Sequence, residues 1–185
     1  MHGFLSLSAM DGAPLAQGYL VQLSANDRLT NHLVFPFKDG SLHDETAVYS
    51  QRGNFRLFTY HLIQKGPTFG HHTDISFDTT SNNVTVHYSE RDGKEKATTV
   101  HMELPPDIAN GLILTLLKNL RPDGPPTTVS MVATTPDIHV WVLGGEAPAF
   151  VKMEGPLFCG GPIWRIELAS PVWPKRIKRS GRLSP

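Results

Sequence analysis

Leu33-Val34-Phe35-Pro36-Phe37-Lys38-Asp39-Gly40-Ser41-Leu42-His43-Asp44-Glu45-Thr46-Ala47-Val48 is two runs of alternating residues on either side of an Asp-Gly pair. Such a pair between alternating runs is a strong short-range signal for a β-hairpin, because both residues tolerate the positive φ of a tight turn. Read as a two-residue type I′ turn, Asp39-Gly40 pairs Phe37 with Leu42 and Leu33 with Thr46. That register gathers Leu33, Phe35, Phe37, Leu42, Thr46 and Val48 on one face. It sends His43 and Glu45 to the opposite face, toward solvent. Pro36 removes a backbone donor and belongs at an edge or a bulge.

The same signal recurs at Asp92-Gly93, with different arithmetic. Val84, Val86 and Tyr88 share a face with Val100 and Met102 only if the loop has an odd number of residues. Arg91-Asp92-Gly93 meets this as a three-residue loop with Gly93 in the left-handed conformation. Asp11-Gly12 reads as a third turn, joining residues 4–9 to residues 18–23. Further strand patterns cover residues 55–63, 73–77, 127–133, 138–143, 149–154 and 163–168. About a dozen short strands joined by tight turns spell an antiparallel meander.

One helix is expected, over residues 106–120. Pro105-Pro106 opens it, Asp107 suits its positive end, Lys118 and Arg121 suit the other, and Pro122 stops it. Ile108, Leu112 and Leu116 form one stripe with Ile113 and Leu117 beside it, so the helix should be buried across one face of the sheet. The fold class is therefore mainly β, a curved antiparallel sheet or incomplete half-barrel of meandering hairpins with one helix packed on it.

The chain has 185 residues, enough for one β-rich domain over residues 1–174. Bases and acids number 17 each, but they are not evenly spread. Ahead of Lys175 there are 12 bases against 17 acids, a formal −5, whereas the last eleven residues hold five bases and no acid. An acidic body argues against specific nucleic-acid binding. Residues 175–185 read as a basic disordered tail that could make weak contact with an anionic surface. The only cysteine, Cys159, excludes an intrachain disulfide and fits a reducing compartment. No stretch is long and apolar enough for a membrane span. Met1-His2-Gly3-Phe4-Leu5-Ser6-Leu7 lacks the features of a signal peptide. That reading gives a cytoplasmic chain as it stands, or a cell-envelope protein if the natural start lies upstream.

The stretch Asp137-Ile138-His139-Val140-Trp141-Val142-Leu143-Gly144-Gly145-Glu146-Ala147-Pro148-Ala149-Phe150-Val151-Lys152-Met153-Glu154-Gly155-Pro156-Leu157, with Gly160-Gly161-Pro162-Ile163-Trp164-Arg165-Ile166-Glu167-Leu168, resembles the last strands of bacterial proteins of the DUF3108 type. Those are similar to lipoprotein-carrier (LolA/LolB-like) half-barrels, in which helices lie on the concave side of a curved antiparallel sheet. The resemblance covers about a third of the chain and brings no catalytic motif. Against that pattern the chain is shortened, before Met1 and between Pro136 and Asp137. The resemblance implies an apolar small molecule or lipid as the ligand.

Candidate chemistry is sparse. His71 and His72 are adjacent and point to opposite sides of an extended chain, so only His72 and Asp74 could share a metal, one pair where three or four ligands are needed. His43 and Glu45 share a face and could form an acid–base pair. His101 falls opposite Asn83, about 13 Å from His87 at ~3.3 Å per residue. His61 reads as a satisfied histidine and Cys159 as an incidental thiol. Gly144-Gly145 and Gly160-Gly161 read as turns, since neither opens a helix. Trp141, Phe150, Phe158 and Trp164 are the candidate ligand-binding residues, with Trp173 nearby, lining an apolar groove or filling a sheet core. No catalytic residue, cofactor or metal is assigned.

Three functions follow in order: a non-enzymatic binding or carrier-like scaffold for an apolar or lipid-like ligand; an interaction module pairing through open sheet edges; and a hydrolase or metal enzyme built on His43/Glu45 or His72/Asp74. Deleting residues 175–185 is expected to change stability by less than ~0.5 kcal/mol and to abolish low-salt binding to anionic vesicles. Thermal melts and vesicle co-sedimentation check both.

Overall fold

The computed structural model describes residues 2–50, 56–89, 94–116, 129–132, 138–143 and 149–169. The expected turn at 91–93, Gly144-Gly145, Pro122, Trp173 and residues 175–185 lie outside the described residues.

Among the described residues eleven strands form one antiparallel sheet. They are β1 (His2–Ala9), β2 (Pro14–Ala25), β3 (Arg28–Pro36), β4 (Leu42–Ser50), β5 (Arg56–Lys65), β6 (Thr73–Asp78), β7 (Asn83–Ser89), β8 (Glu95–His101), β9 (His139–Leu143), β10 (Ala149–Gly155) and β11 (Trp164–Leu168). β1 to β8 follow one another as a meander; β9, β10 and β11 then extend the sheet on the other side of β1. β11 lies beside β1, with Leu7 opposite Ile166 and Ala9 opposite Trp164. Among the described residues the sheet is not closed, and β8 and β9 are its edges. It is the curved, half-barrel-like antiparallel architecture that the alternation predicts.

The second hairpin has the predicted register, with Asn83 opposite His101 and Val84 opposite Val100. The first does not. Leu33 pairs with Glu45, Phe35 with His43 and Pro36 with Leu42. The loop has three residues, Lys38-Asp39-Gly40. Phe37 N–H donates to the Ser41 carbonyl at 2.8 Å, and Gly40, at φ +84°, donates back to the Phe37 carbonyl at 3.2 Å. The Asp39 carboxylate accepts from the Ser41 N–H at 2.9 Å and from the Thr68 hydroxyl at 2.6 Å, which holds the turn in this form. A one-residue slip moves a whole strand to the other face. His43, Glu45, Ala47 and Tyr49 therefore join Leu33 and Phe35 on the inner face, while Leu42, Thr46 and Val48 turn away.

The inner face carries two apolar clusters. One joins Leu5, Leu7, Leu20 and Phe35 to Phe37, Phe69, Phe150, Trp164 and Ile166. The other joins Leu29, Ala47, Tyr49, Leu57, Tyr60, Phe77 and Val84 to Leu104, Ile108 and Leu112 of the segment that follows β8. A bulge at Phe58 lets both Leu57 and Tyr60 point inward.

That covering segment is where the helix was expected, and the expectation is corrected. Among the described residues only α1 (Ile113–Leu116) is helical; 117–120 lie outside them. Residues 107–109 pair instead with Ser130: Ala109 N–H donates to the Ser130 carbonyl at 2.8 Å and Ser130 N–H to that of Asp107 at 3.3 Å. Gly111, at φ +69°, then turns the chain against β4, where an added Cβ would sit 2.7 Å from that of Ala47. The apolar stripe still does its packing: Leu112 is buried, and Leu116 partly so. The expected strand at 127–133 is reduced, in its described part, to the bridge between Ile108 and Ser130. No helix among the described residues is long and apolar enough to cross a membrane.

Gly18 on β2 leaves room for the Phe35 ring of β3. A Cβ there would clash with the Phe35 ring and with the Val34 carbonyl oxygen. Gly18→Ala should destabilise the fold by about 1–3 kcal/mol. Gly70→Ala, into open space, should stay within ~0.5 kcal/mol. Urea titrations of the two variants compare them.

Candidate functional site

The register of β4 decides what the inner face presents. His43, Glu45 and Ala47 alternate along it, flanked by Asn31 and Leu33 on β3 and by Tyr60, Leu62 and Gln64 on β5. The covering segment contributes Asn110, Gly111, Ile113 and Leu114, and Leu157 and Phe158 also line the cavity. Between them lies a cavity of about 250 Å³. Its lining is mostly aliphatic and aromatic, including Leu20, Leu33, Ile75, Phe77, Met153 and Ile166. The polar residues in it are few: Asn31, His43, Glu45, Tyr60, Gln64, Thr73 and Asn110, with Cys159 at an exposed position.

Two of these are structural ties. Asn31 donates to the Gly111 carbonyl at 3.2 Å and to Thr115 Oγ1 at 3.0 Å, and accepts from Gln22 at 2.9 Å and from the Tyr49 hydroxyl at 3.2 Å. Asn110 bonds both backbone groups of Val132 at 2.9 Å. These bonds anchor the covering segment to the sheet and to residues 129–132.

Tyr60 with Glu45 and Gln64 with His43 form two further pairs. The Tyr60 hydroxyl donates to Glu45 Oε1 at 2.8 Å. Loss of water raises the Glu45 carboxyl above its ordinary range, and the Tyr60 bond partly offsets this. Burial and the nearby Glu45 charge raise Tyr60 well above the usual phenol value, so it remains a donor. His43 is only 3% exposed. Burial pushes its pKa down to about 4, opposed by the charge of Asp44. Its Nδ1 meets Gln64 Nε2 at 3.0 Å, and its Nε2 is buried without a partner among the described residues.

The aromatic candidates separate. Phe158 lines the cavity and packs edge-on to Phe69 and Trp164. Trp164 and Phe150 are buried in the cluster behind it. Trp141 does not join them. It pairs with Lys152 on the outer face, 39% exposed, with the Lys152 ammonium 4.0 Å from the ring centroid. Lys152 and Arg165 both bind Glu154 there. The bulge between Phe150 and Lys152 is what sets these neighbours on opposite faces.

Most other histidines lie on the outer face or in loops. Asp74 bonds His61 at 2.9 Å rather than His72, and Asp44 bonds His32 at 2.9 Å. His71 is exposed and His72 lies in the same loop. Among the described residues no group of three or more His, Cys, Asp or Glu is arranged to hold a metal. Asn31, Tyr60, Gln64 and Asn110 were not legible as site residues. Tyr60 and Gln64 alternate with Leu62 on β5, but only the true β4 register shows that this alternation faces the cavity. No family model, curated protein or solved structure matches the chain.

The depressed His43 pKa fixes a pH dependence. The unfolded histidine titrates near 6.5 and the folded one at about 4. Between these values the unfolded state binds more protons, so stability rises with pH through that window and falls as pH drops from 6.5 toward 4. The contribution is on the order of 3 kcal/mol. Glu45 acts in the opposite sense, because its raised carboxyl favours the folded state toward acid. Urea titrations from pH 4 to 6.5 should show a positive slope, flattened in His43→Phe and steeper in Glu45→Gln.

Proposed function

We propose that this protein is a non-enzymatic binding or carrier-like β scaffold for an apolar or lipid-like small molecule, held in the cavity on the inner face. The cavity carries this reading. It is a concave, mostly apolar space with a few convergent polar groups, the usual form of a small-molecule site. At about 250 Å³ it exceeds the roughly 150 Å³ apolar cavity known to admit benzene. The open antiparallel sheet agrees with the lipoprotein-carrier-like resemblance of residues 137–168, and membership of that group is part of the proposal.

An acid–base enzyme is less well supported. His43 and Glu45 share a face but are held by separate partners, Gln64 and Tyr60. Among the described residues no serine, threonine or cysteine is hydrogen-bonded to either, so no nucleophile is activated. Pairing through an open edge has one observation in its favour. β8 is exposed along its length, and Val100 on it, Val86 and Tyr88 on neighbouring β7 and Met102 just after it are exposed apolar groups.

Native mass spectrometry of freshly purified protein tests these readings together. The expected spectrum is a monomer with an apolar adduct that is lost in Ile75→Trp, a substitution that fills the cavity. Circular dichroism should show the variant folded. A wild-type protein that carries no adduct and takes up no added 1-decanol overturns the binding proposal. A dimer without adduct favours edge pairing.

A further inference from the structure

The polar groups of the cavity select the headgroup of the molecule it takes, an inference that rests on the binding reading above. Gln64 sets the protonation of His43. Its side-chain nitrogen donates to the Leu157 carbonyl oxygen at 2.8 Å, an atom that can only accept. This end of the amide is therefore the NH₂ group. The same nitrogen lies 3.0 Å from His43 Nδ1. A donor facing Nδ1 makes Nδ1 the acceptor, so the neutral ring carries its proton on Nε2. That N–H is the buried group without a partner among the described residues, on a side chain that lines the cavity, and a small shift of the groups packed around it is needed for a ligand to reach it. An unmatched buried donor is unfavourable until an acceptor reaches it.

The charges around it narrow the choice. No lysine or arginine lines the cavity among the described residues. A carboxylate headgroup would find no counter-charge and would face Glu45, two residues from His43 on the same side of β4. An ammonium headgroup would suit Glu45 but would set a donor against the His43 N–H.

We propose that the cavity binds an uncharged molecule, an apolar body bearing a carbonyl or hydroxyl oxygen that accepts a hydrogen bond from His43 Nε2–H, in preference to carboxylates and amines.

Four probes of nearly equal shape test this: ethylbenzene, acetophenone, benzoate and benzylamine, titrated calorimetrically into the full chain at pH 7.5. Acetophenone should bind most tightly, by about tenfold over ethylbenzene, the ratio that one well-made hydrogen bond supplies. Benzoate and benzylamine should be weaker than acetophenone by at least a similar factor. In His43→Phe, which keeps a buried ring and removes the donor, the advantage of acetophenone over ethylbenzene should vanish. If that variant does not fold, ¹⁵N-edited spectra of the wild-type imidazole replace it. The proton should sit on Nε2 and its signal should move with acetophenone but not with ethylbenzene. Equal binding of ethylbenzene and acetophenone overturns the headgroup assignment and leaves the cavity reading standing, as does tightest binding of either ion or a proton on Nδ1. Failure of all four probes to bind overturns the cavity reading itself.

Discussion

The turn of Lys38, Asp39 and Gly40 fixes the register of β4 against β3, and the inner face depends on that register. Side chains alternate along a strand with a period of two, so a turn of two residues in place of three would put Leu42, Thr46 and Val48 inside. The three-residue form is held by Gly40 at positive φ and by the Asp39 carboxylate, which bridges the backbone of Ser41 to the hydroxyl of Thr68. Thr68 lies between β5 and β6, so the turn is buttressed by a hairpin further along the chain. Ser41 is itself buried, and its hydroxyl accepts from the Thr68 N–H at 2.8 Å. With β4 in this phase, a histidine and a glutamate stand among leucines and aromatic rings.

Polar residues inside a β core are tolerated when their hydrogen bonds are complete. Asn31 meets that condition through Gln22, Tyr49, Gly111 and Thr115. It joins the sheet to the segment that covers it, and that segment has little regular structure of its own among the described residues. His43 meets the condition at one ring nitrogen only. The difference separates a group whose bonds are satisfied within the fold from one that has capacity left over. Aliphatic side chains alone would have filled this part of the core more stably, at about 25 cal/mol per Å² of apolar surface removed from water.

The architecture was largely legible in the sequence, because alternation and Asp-Gly turns act over few residues. The strand pairing of β7 with β8 follows from the Asp92-Gly93 signal and the face that Val84 and Val86 must share with Val100. The covering segment was legible as an apolar stripe at Ile108 and Leu112 but not as a non-helical one. Its backbone bonds go to Ser130, a partner that local propensity does not reveal. The site was hidden by one residue. His43 and Glu45 were visible as a pair, yet the two-residue reading of Asp39-Gly40 turned them outward. Leu42, Thr46 and Val48 gave that reading a plausible apolar face. The tie between Asp39 and Thr68, which favours the longer turn, joins residues far apart in sequence. Trp141 was grouped with Phe150, Phe158 and Trp164 by nearness in sequence alone, which does not say which face of β9 it takes.

The pairing of β1 with β11 has a consequence for how the chain acquires its structure. Leu5 lies against Leu168 and Leu7 against Ile166, so the strand made first takes its second neighbour from the strand made last of the eleven. The meander from β1 to β8 can assemble through contacts between sequence neighbours, whereas the aromatic packing of Phe37 and Phe69 on Trp164 must wait for a long loop to close. Folding should therefore proceed in two stages of different speed, with the long-range stage the slower. Until β11 arrives, one side of β1 is an unpaired edge with leucines at its face. During synthesis that edge is open to aggregation.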